Sequence, residues 1–305
     1  MTRFEGIIPP MLTPFKDDGD LDLQKLRDFV DYLIEGGVHG LFPSASSGEF
    51  STMTLEERKK VIKTVIDQND GKLKVVPGTG SSSLKEVIDL SGFVEDNGGD
   101  GVIIVTPYYL KPDQQGLIDF YGEVAESIDL PILLYELPSA TGVKFEADTV
   151  AVLAEKHDNI VGLKDSSGDF ELVMSILDKT PENFDLLQGI DSLLLPGLMM
   201  GCSGGVPGSS NIRPEFAVKV YELYQDDKLK EARQVQKELL SPLSRFSKKA
   251  GVFPAGYKAS AKEIGMDLGK PRRPIRDLTI AEYDDLSDKL RNLMNTKLKM
   301  NFKHL

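Results

Sequence analysis

An internal disulfide is closed to this chain, because Cys202 is the only cysteine among its 305 residues. A lone thiol builds no internal framework and fits a reducing cytoplasm, which is the expected location. Histidine is scarce as well: His39, His157 and His304 lie far apart, and none belongs to an H-x-x-x-H pattern. Several converging imidazoles are what a catalytic metal asks for, so neither a metal nor another cofactor is expected. His39 stands just before a strand, at the end where barrel enzymes do no chemistry, and is expected to satisfy a turn. Positive charge is in deficit, with 36 Lys and Arg against 48 Asp and Glu and a net charge of −12. The short basic pairs Lys248-Lys249 and Arg272-Arg273 do not reverse that balance, so phosphate backbones and anionic membranes are poor partners. Long apolar runs are missing too. The N-terminal Met1–Pro10 lacks the apolar core of about 7–15 residues that marks a signal peptide. The stretch Leu193–Met200 contains Pro and Gly and falls far short of the roughly 20 residues that span a bilayer. A soluble protein is expected.

What is present is a repeating alternation. Short apolar runs start at Gly6, Gly40, Leu73, Gly101, Ile132, Ile160, Phe184 and Gly204, each followed by a segment with helical spacing. Such runs read as parallel strands buried on both faces. Helix entries are marked by Asp22, by the capping-box pattern Thr54-Leu-Glu-Glu57, by Ser83, by Asp191 and by Pro214. Eight βα units in a row exceed the five or six strands of a doubly wound sheet. They point to the α/β class and a (β/α)8 TIM barrel over residues 1–226. Residues 227–305 read as a C-terminal helical appendix packed on the barrel, with helices over 229–247, 255–264 and 280–293 and no strand between them.

In such a barrel the chemistry sits where strands end. Lys164 closes the run Asn159–Leu163 and precedes Asp165-Ser-Ser-Gly168; about 30 residues earlier, Tyr135 closes the run Leu130–Leu134. A lysine held among strand ends with little water around it loses part of its preference for the charged form, as attack on a ketone requires. A phenol one βα unit away can move protons to and from that amine. Either residue alone is ordinary, since strand-end lysines are usually solvated and tyrosines usually pack; the two together are not. After the second strand, Pro43-Ser-Ala-Ser-Ser-Gly-Glu-Phe50 offers hydroxyls and backbone N–H groups that can hold a carboxylate. The loop Pro77-Gly-Thr-Gly-Ser-Ser-Ser83 lacks the G-K-[ST] ending of a phosphate loop, which argues against a nucleotide.

Several of these segments, taken in order, carry a family resemblance. Ser46-Ser47-Gly48-Glu49 resembles a G-T-T-G-E loop and Pro107-Tyr108-Tyr109 a P-Y-Y segment. Tyr135-x-x-Pro138 resembles Y-N-x-P, and Gly162–Asp169 resembles G-x-K-D-x-S-G-D. Together they resemble the dihydrodipicolinate synthase and N-acetylneuraminate lyase superfamily of class I pyruvate aldolases, from Gly6–Phe15 through Gly269–Pro274. The resemblance implies a Schiff base between Lys164 and the C2 ketone of pyruvate, with Tyr135 as the proton carrier. It implies that Ser46 relays protons in place of the usual Thr, and that the backbone around Ser46 and Ser47 binds the carboxylate. Tyr109 would complete a neighbouring subunit's site in a homodimer or homotetramer, and Gly189 and Val206 would line the pocket.

Three departures mark this chain. Ala45 replaces a Gly in the loop, a small change. Glu136 replaces the usual Asn, and is expected either to meet substrate hydroxyls or to face outward. Ala140 stands where lysine-biosynthetic synthases carry an Arg. The expected activity is therefore carbohydrate metabolism by cleavage of a 2-keto-3-deoxy sugar acid, 2-keto-3-deoxygluconate, to pyruvate and glyceraldehyde. The Ser209-Ser210 loop would supply hydroxyl partners. The alternatives are a 4-hydroxy-tetrahydrodipicolinate synthase, an N-acetylneuraminate lyase, and a barrel kept for binding alone.

Overall fold

Proline decides where the first strands stop. In the computed structural model, which describes residues 4–299, β1 is only Gly6–Ile7 because Pro9 and Pro10 have no N–H to offer a ladder. β2 (Gly40–Leu41) likewise halts before Pro43. The remaining strands are β3 (Lys74–Val75), β4 (Val102–Val105), β5 (Ile132–Glu136), β6 (Ile160–Asp165), β7 (Asp185–Gln188) and β8 (Gly204–Gly205). β5 and β6 run on past their apolar stretches through Tyr135-Glu136 and Lys164-Asp165. These polar residues keep the ladder because they too are buried.

Every strand pairing among the described residues is parallel, in the order β1-β8-β7-β6-β5-β4, with β2-β3 as a second ribbon. Single bridges, Pro10 to Phe42 and Gly78 to Ile103, join that ribbon to β1 and β4, and the eight strands close into a (β/α)8 barrel. At the β8 seam a side chain is impossible: a Cβ on Gly204 would stand 2.1 Å from the Gly6 carbonyl oxygen. The barrel interior holds Phe4, Ile8, Phe42, Val76, Ile103, Leu133 and Leu187, beneath Tyr135 and Val206.

Helices follow the strands: α1 (Leu23–Glu35), α2 (Leu55–Asn69), α3 (Leu84–Asp96), α4 (Gln114–Ser127), the single turn α5 (Pro138–Thr141), α6 (Ala147–Lys156), α7 (Phe170–Lys179), α8 (Leu194–Met200) and α9 (Pro214–Gln225). Thr54 and Glu57 form the expected capping box, and Asp22 caps α1. Two expected cues act differently. Asp191 caps no helix; its carboxylate accepts instead from the Gly208 and Ser209 amides. His39 accepts at Nδ1 from the Ile7 N–H, 3.1 Å away, tethering β1 rather than closing a turn.

Beyond Gln225 the chain is helical: α10 (Leu229–Val235), a π-helical turn (Gln236–Leu240), α11 (Ser241–Lys249), α12 (Ala255–Glu263) and α13 (Ile280–Lys299). Leu239, Leu243, Tyr257, Leu286 and Leu290 join Phe29, Leu33 and Phe216 in one apolar cluster. The appendix therefore completes the barrel's core instead of forming its own, and burial of this apolar area holds it in place. The ends of the expected ranges, residues 1–3 and 300–305 with His304, lie outside the described residues. No helix among the described residues is long and apolar enough to cross a membrane.

Candidate active site

The ladder between β5 and β6 pairs Tyr135 with Lys164 as Cα partners. Partners across a parallel pair point to the same side of the sheet, here into the barrel mouth. Lys164 is 3% and Tyr135 5% exposed. The Lys164 nitrogen lies 3.8 Å from the centroid of the Tyr135 ring and 5.0 Å from that of Phe42. The amine thus sits over the face of the phenol ring with both side chains nearly withdrawn from solvent, which places an acid–base group beside the amine.

A cavity of about 770 Å³ opens over this pair. Its wall includes Ser46, Ser47, Ala140, Gly189 and Val206 together with Lys164 and Tyr135, so seven of the expected site residues converge. Gly189 is required by space: a Cβ there would stand 3.1 Å from Lys164 Cε and 2.1 Å from the Ser166 hydroxyl. The Ser46–Glu49 loop is held from two sides. Ser47 donates its hydroxyl to the Pro10 carbonyl, and the Gly48 amide donates to Ala45 O at 3.0 Å. Beneath it Arg58, which sequence reasoning did not single out, donates to Ser44 Oγ at 3.0 Å and to the Gly78 and Gly80 carbonyls at 2.8 and 3.1 Å. One buried guanidinium thereby fixes the loops after both β2 and β3.

Two expected residues lie elsewhere. Ser209 is fully buried and gives its hydroxyl to Asp191, so it is not a hydroxyl partner on the pocket wall. Tyr109 stands 91% exposed with a positive φ of 75°, away from its own chain's cavity. Glu136 does not meet the pocket: it faces outward from the barrel, yet reaches no solvent, being fully buried beneath the helices with Oε2 accepting from the Phe145 N–H at 2.9 Å. Strand alternation turns it away from the barrel mouth, and burial pushes its carboxyl up to about 7. The cavity also has a basic rim that sequence reasoning missed. Arg245, Lys248 and Lys249 reach it from α11. Their i, i+3, i+4 spacing puts them on one helix face, but nothing in the sequence says that this face overlooks the barrel mouth. Among the described residues no group of three His, Cys, Asp or Glu is placed to hold a metal ion.

Comparison with known proteins agrees with this geometry. Residues 3–293 match the Dihydrodipicolinate synthetase family. The chain is 40% identical over 278 residues to a 4-hydroxy-tetrahydrodipicolinate synthase of Methanopyrus kandleri, covering 90% of this chain and 91% of that protein. Among solved structures, the 4-hydroxy-tetrahydrodipicolinate synthase of Methylacidiphilum fumariolicum superposes with a TM-score of 0.93 at 33% identity, covering 97% and 98% of the two chains. A prophage protein of the dihydrodipicolinic acid synthase family from E. coli, solved in complex with pyruvate, gives 0.92 at 30% identity, with 96% and 99% covered. The chain belongs to the dihydrodipicolinate synthetase family and is a class I, lysine-imine carbon–carbon lyase.

Proposed function

We propose that the protein condenses pyruvate with an anionic aldehyde of the aspartate semialdehyde kind, as a 4-hydroxy-tetrahydrodipicolinate synthase does. In this reading the Lys164 amine adds to the C2 ketone of pyruvate and expels water to give an imine. Loss of a C3 proton leaves an enamine, whose C3 attacks the aldehyde carbon; the new alkoxide takes up a proton, and attack on C2 by the acceptor's own amine, or by water, expels the Lys164 amine and releases the product. Tyr135, beside Lys164, carries these protons, with Ser46 as relay. The Ser46 and Ser47 backbone holds the pyruvate carboxylate.

One observation carries the choice of acceptor. Ala140 removes the Arg that lysine-biosynthetic synthases place at this position, yet Arg245, Lys248 and Lys249 put three cations on the same cavity in a chain of net charge −12. An acceptor carboxylate can take charge-assisted hydrogen bonds from Arg245 in place of the missing side chain. The names of the relatives support the same acceptor.

Cleavage of a 2-keto-3-deoxy sugar acid is the second reading. It is favoured by Ala140 and by the serines Ser139, Ser166 and Ser192 on the cavity wall, which suit a neutral polyhydroxyl tail. A panel of pyruvate with aspartate semialdehyde, glyceraldehyde, glyceraldehyde 3-phosphate and N-acetylmannosamine, compared by kcat/KM, separates the two. Aspartate semialdehyde should lead. Arg245→Ala should raise its KM about tenfold, as expected for one lost charge-assisted bond at a wetted rim, and leave pyruvate binding alone. A lead for glyceraldehyde, insensitive to Arg245, transfers the assignment to the sugar-acid lyase.

A further inference from the structure

One register step beyond the Tyr135 and Lys164 pair, Glu136 and Asp165 are again Cα partners across β5 and β6. Their side chains share the opposite face of the sheet, in the layer between barrel and helices, and both residues are 0% exposed. One oxygen of each is occupied. Glu136 Oε2 accepts from Phe145 N, while Asp165 Oδ1 accepts from the Ser167 amide at 3.0 Å and its hydroxyl at 2.6 Å. The other two oxygens, Glu136 Oε1 and Asp165 Oδ2, are buried without a hydrogen-bond partner.

The surroundings offer no buried counter-charge to this pair. Lys144, just beyond α5, is half exposed and ion-paired at 2.7 Å to Asp169 at the start of α7. The other titratable groups facing the pair are the Tyr121 phenol of α4 and the Cys202 thiol before β8, both pushed up by burial and neutral. Two neighbouring carboxylates cannot both stay ionised in such a place, where desolvation and like charge act together. A single proton held by the pair removes one of the two like charges and supplies the donor that both orphan oxygens lack.

We propose that Glu136 and Asp165 share one proton, and that this acid–carboxylate clamp is the positioning device that fixes the ends of β5 and β6 and hence the spacing of Tyr135 and Lys164. The clamp also reaches both walls of the cavity. Through Phe145 it anchors the segment carrying Leu137, Ser139 and Ala140, and through Ser167 the loop carrying Ser166. Burial raises both carboxyls, Glu136 to about 7, so the proton is held chiefly there and is lost as pH rises through neutrality. Above neutrality two like charges press the strand ends apart. An amide in place of Glu136 would donate the same bond at any pH.

The test uses pyruvate alone, with borohydride trapping as the readout of imine formation, so it stands whatever the acceptor proves to be. The rate is compared for the wild type, Glu136→Gln and Asp165→Asn from pH 6 to pH 8.5, with circular dichroism confirming the fold. The ratio of Glu136→Gln to wild type should rise about tenfold or more across this range, since 1.5 units above a pKa near 7 only a few per cent of the clamp keeps its proton. Asp165→Asn, which donates to Glu136 from the other side, should show the same rise if one variant fails to fold. In the infrared, a protonated-carboxyl band present at pH 6 should vanish at pH 8.5 and be missing from both variants. A ratio constant within a factor of two, or a wild type without that band at pH 6, overturns the clamp.

Discussion

Glu49 Oε1 and Lys258 Nζ meet 2.7 Å apart, with side chains only 1% and 2% exposed, and so lock the loop after β2 to the C-terminal helix α12. Glu49 sits at a positive φ of 61° and also accepts from the Arg272 N–H at 2.7 Å. Lys258 donates to the Lys270 carbonyl at 3.0 Å as well. The helical appendix thereby holds the loop that carries Ser46 and Ser47.

Breaking this pair from one side should be costly. Lys258→Met leaves a buried carboxylate uncompensated, a loss of about 3–5 kcal/mol in denaturant melts. Adding Glu49→Gln should recover part of it, since the orphaned charge then disappears. Additive losses in the double variant would mean that the two side chains do not interact.

Lys164 and Tyr135 separate covalent from proton chemistry. Pyruvate with borohydride should add the mass of one reduced pyruvyl group at Lys164. Lys164→Arg should be as inert as Lys164→Ala, because a guanidinium does not deprotonate near neutrality. Tyr135→Phe keeps the ring against Phe42 and should lower turnover about 10²- to 10⁴-fold with the fold intact. Activity within a factor of about three would reduce Tyr135 to packing.

Tyr109 and the neighbouring Leu110 expose large apolar surface, 91% and 77%, at a backbone position that non-glycine residues seldom adopt. If Tyr109 completes a neighbour's site, sedimentation should show a dimer or tetramer. Mixing inactive Lys164→Ala with inactive Tyr109→Phe subunits should then restore turnover. Verified hybrids without activity would remove Tyr109 from the site.

Acid should loosen the appendix through Glu57. Arg272 grips this carboxylate with two bonds of 2.6 and 3.0 Å and, as the largest cause, lowers its pKa from 4.5 to about 2. A depressed folded-state pKa means that the contribution is complete above pH 4.5 and fades as pH falls toward 2. Arg272→Ala should therefore melt below the wild type at pH 7, and the gap should narrow between pH 4.5 and 2 to what the Gly19 and Thr52 bonds of Arg272 contribute. A gap that stays constant in acid would assign the effect of Arg272 to its bonds to the Gly19 and Thr52 carbonyls and its packing on Phe15.

The barrel was legible because its causes are local. Eight buried strands need apolar runs, and the helices between them need caps and a 3.6-residue period. Both are written along the chain, as in Ile132–Leu134 and Thr54–Glu57. Lys164 and Tyr135 were legible for the same reason: each is the first polar residue after a buried run, and neighbouring strands bring such residues together. What the chain could not disclose depends on contacts between distant segments. Ser209 lost its expected role to Asp191, 18 positions away, and Glu136 was turned away from the barrel mouth by strand alternation and paired with Asp165 through register. Arg245, which no motif marks, became part of the cavity only because a shared apolar cluster seats α11 over the barrel mouth. Sequence determined which chemistry this protein can perform, since reactive groups follow strand ends. Tertiary structure decided what surrounds that chemistry, since burial, register and helix docking belong to no single segment.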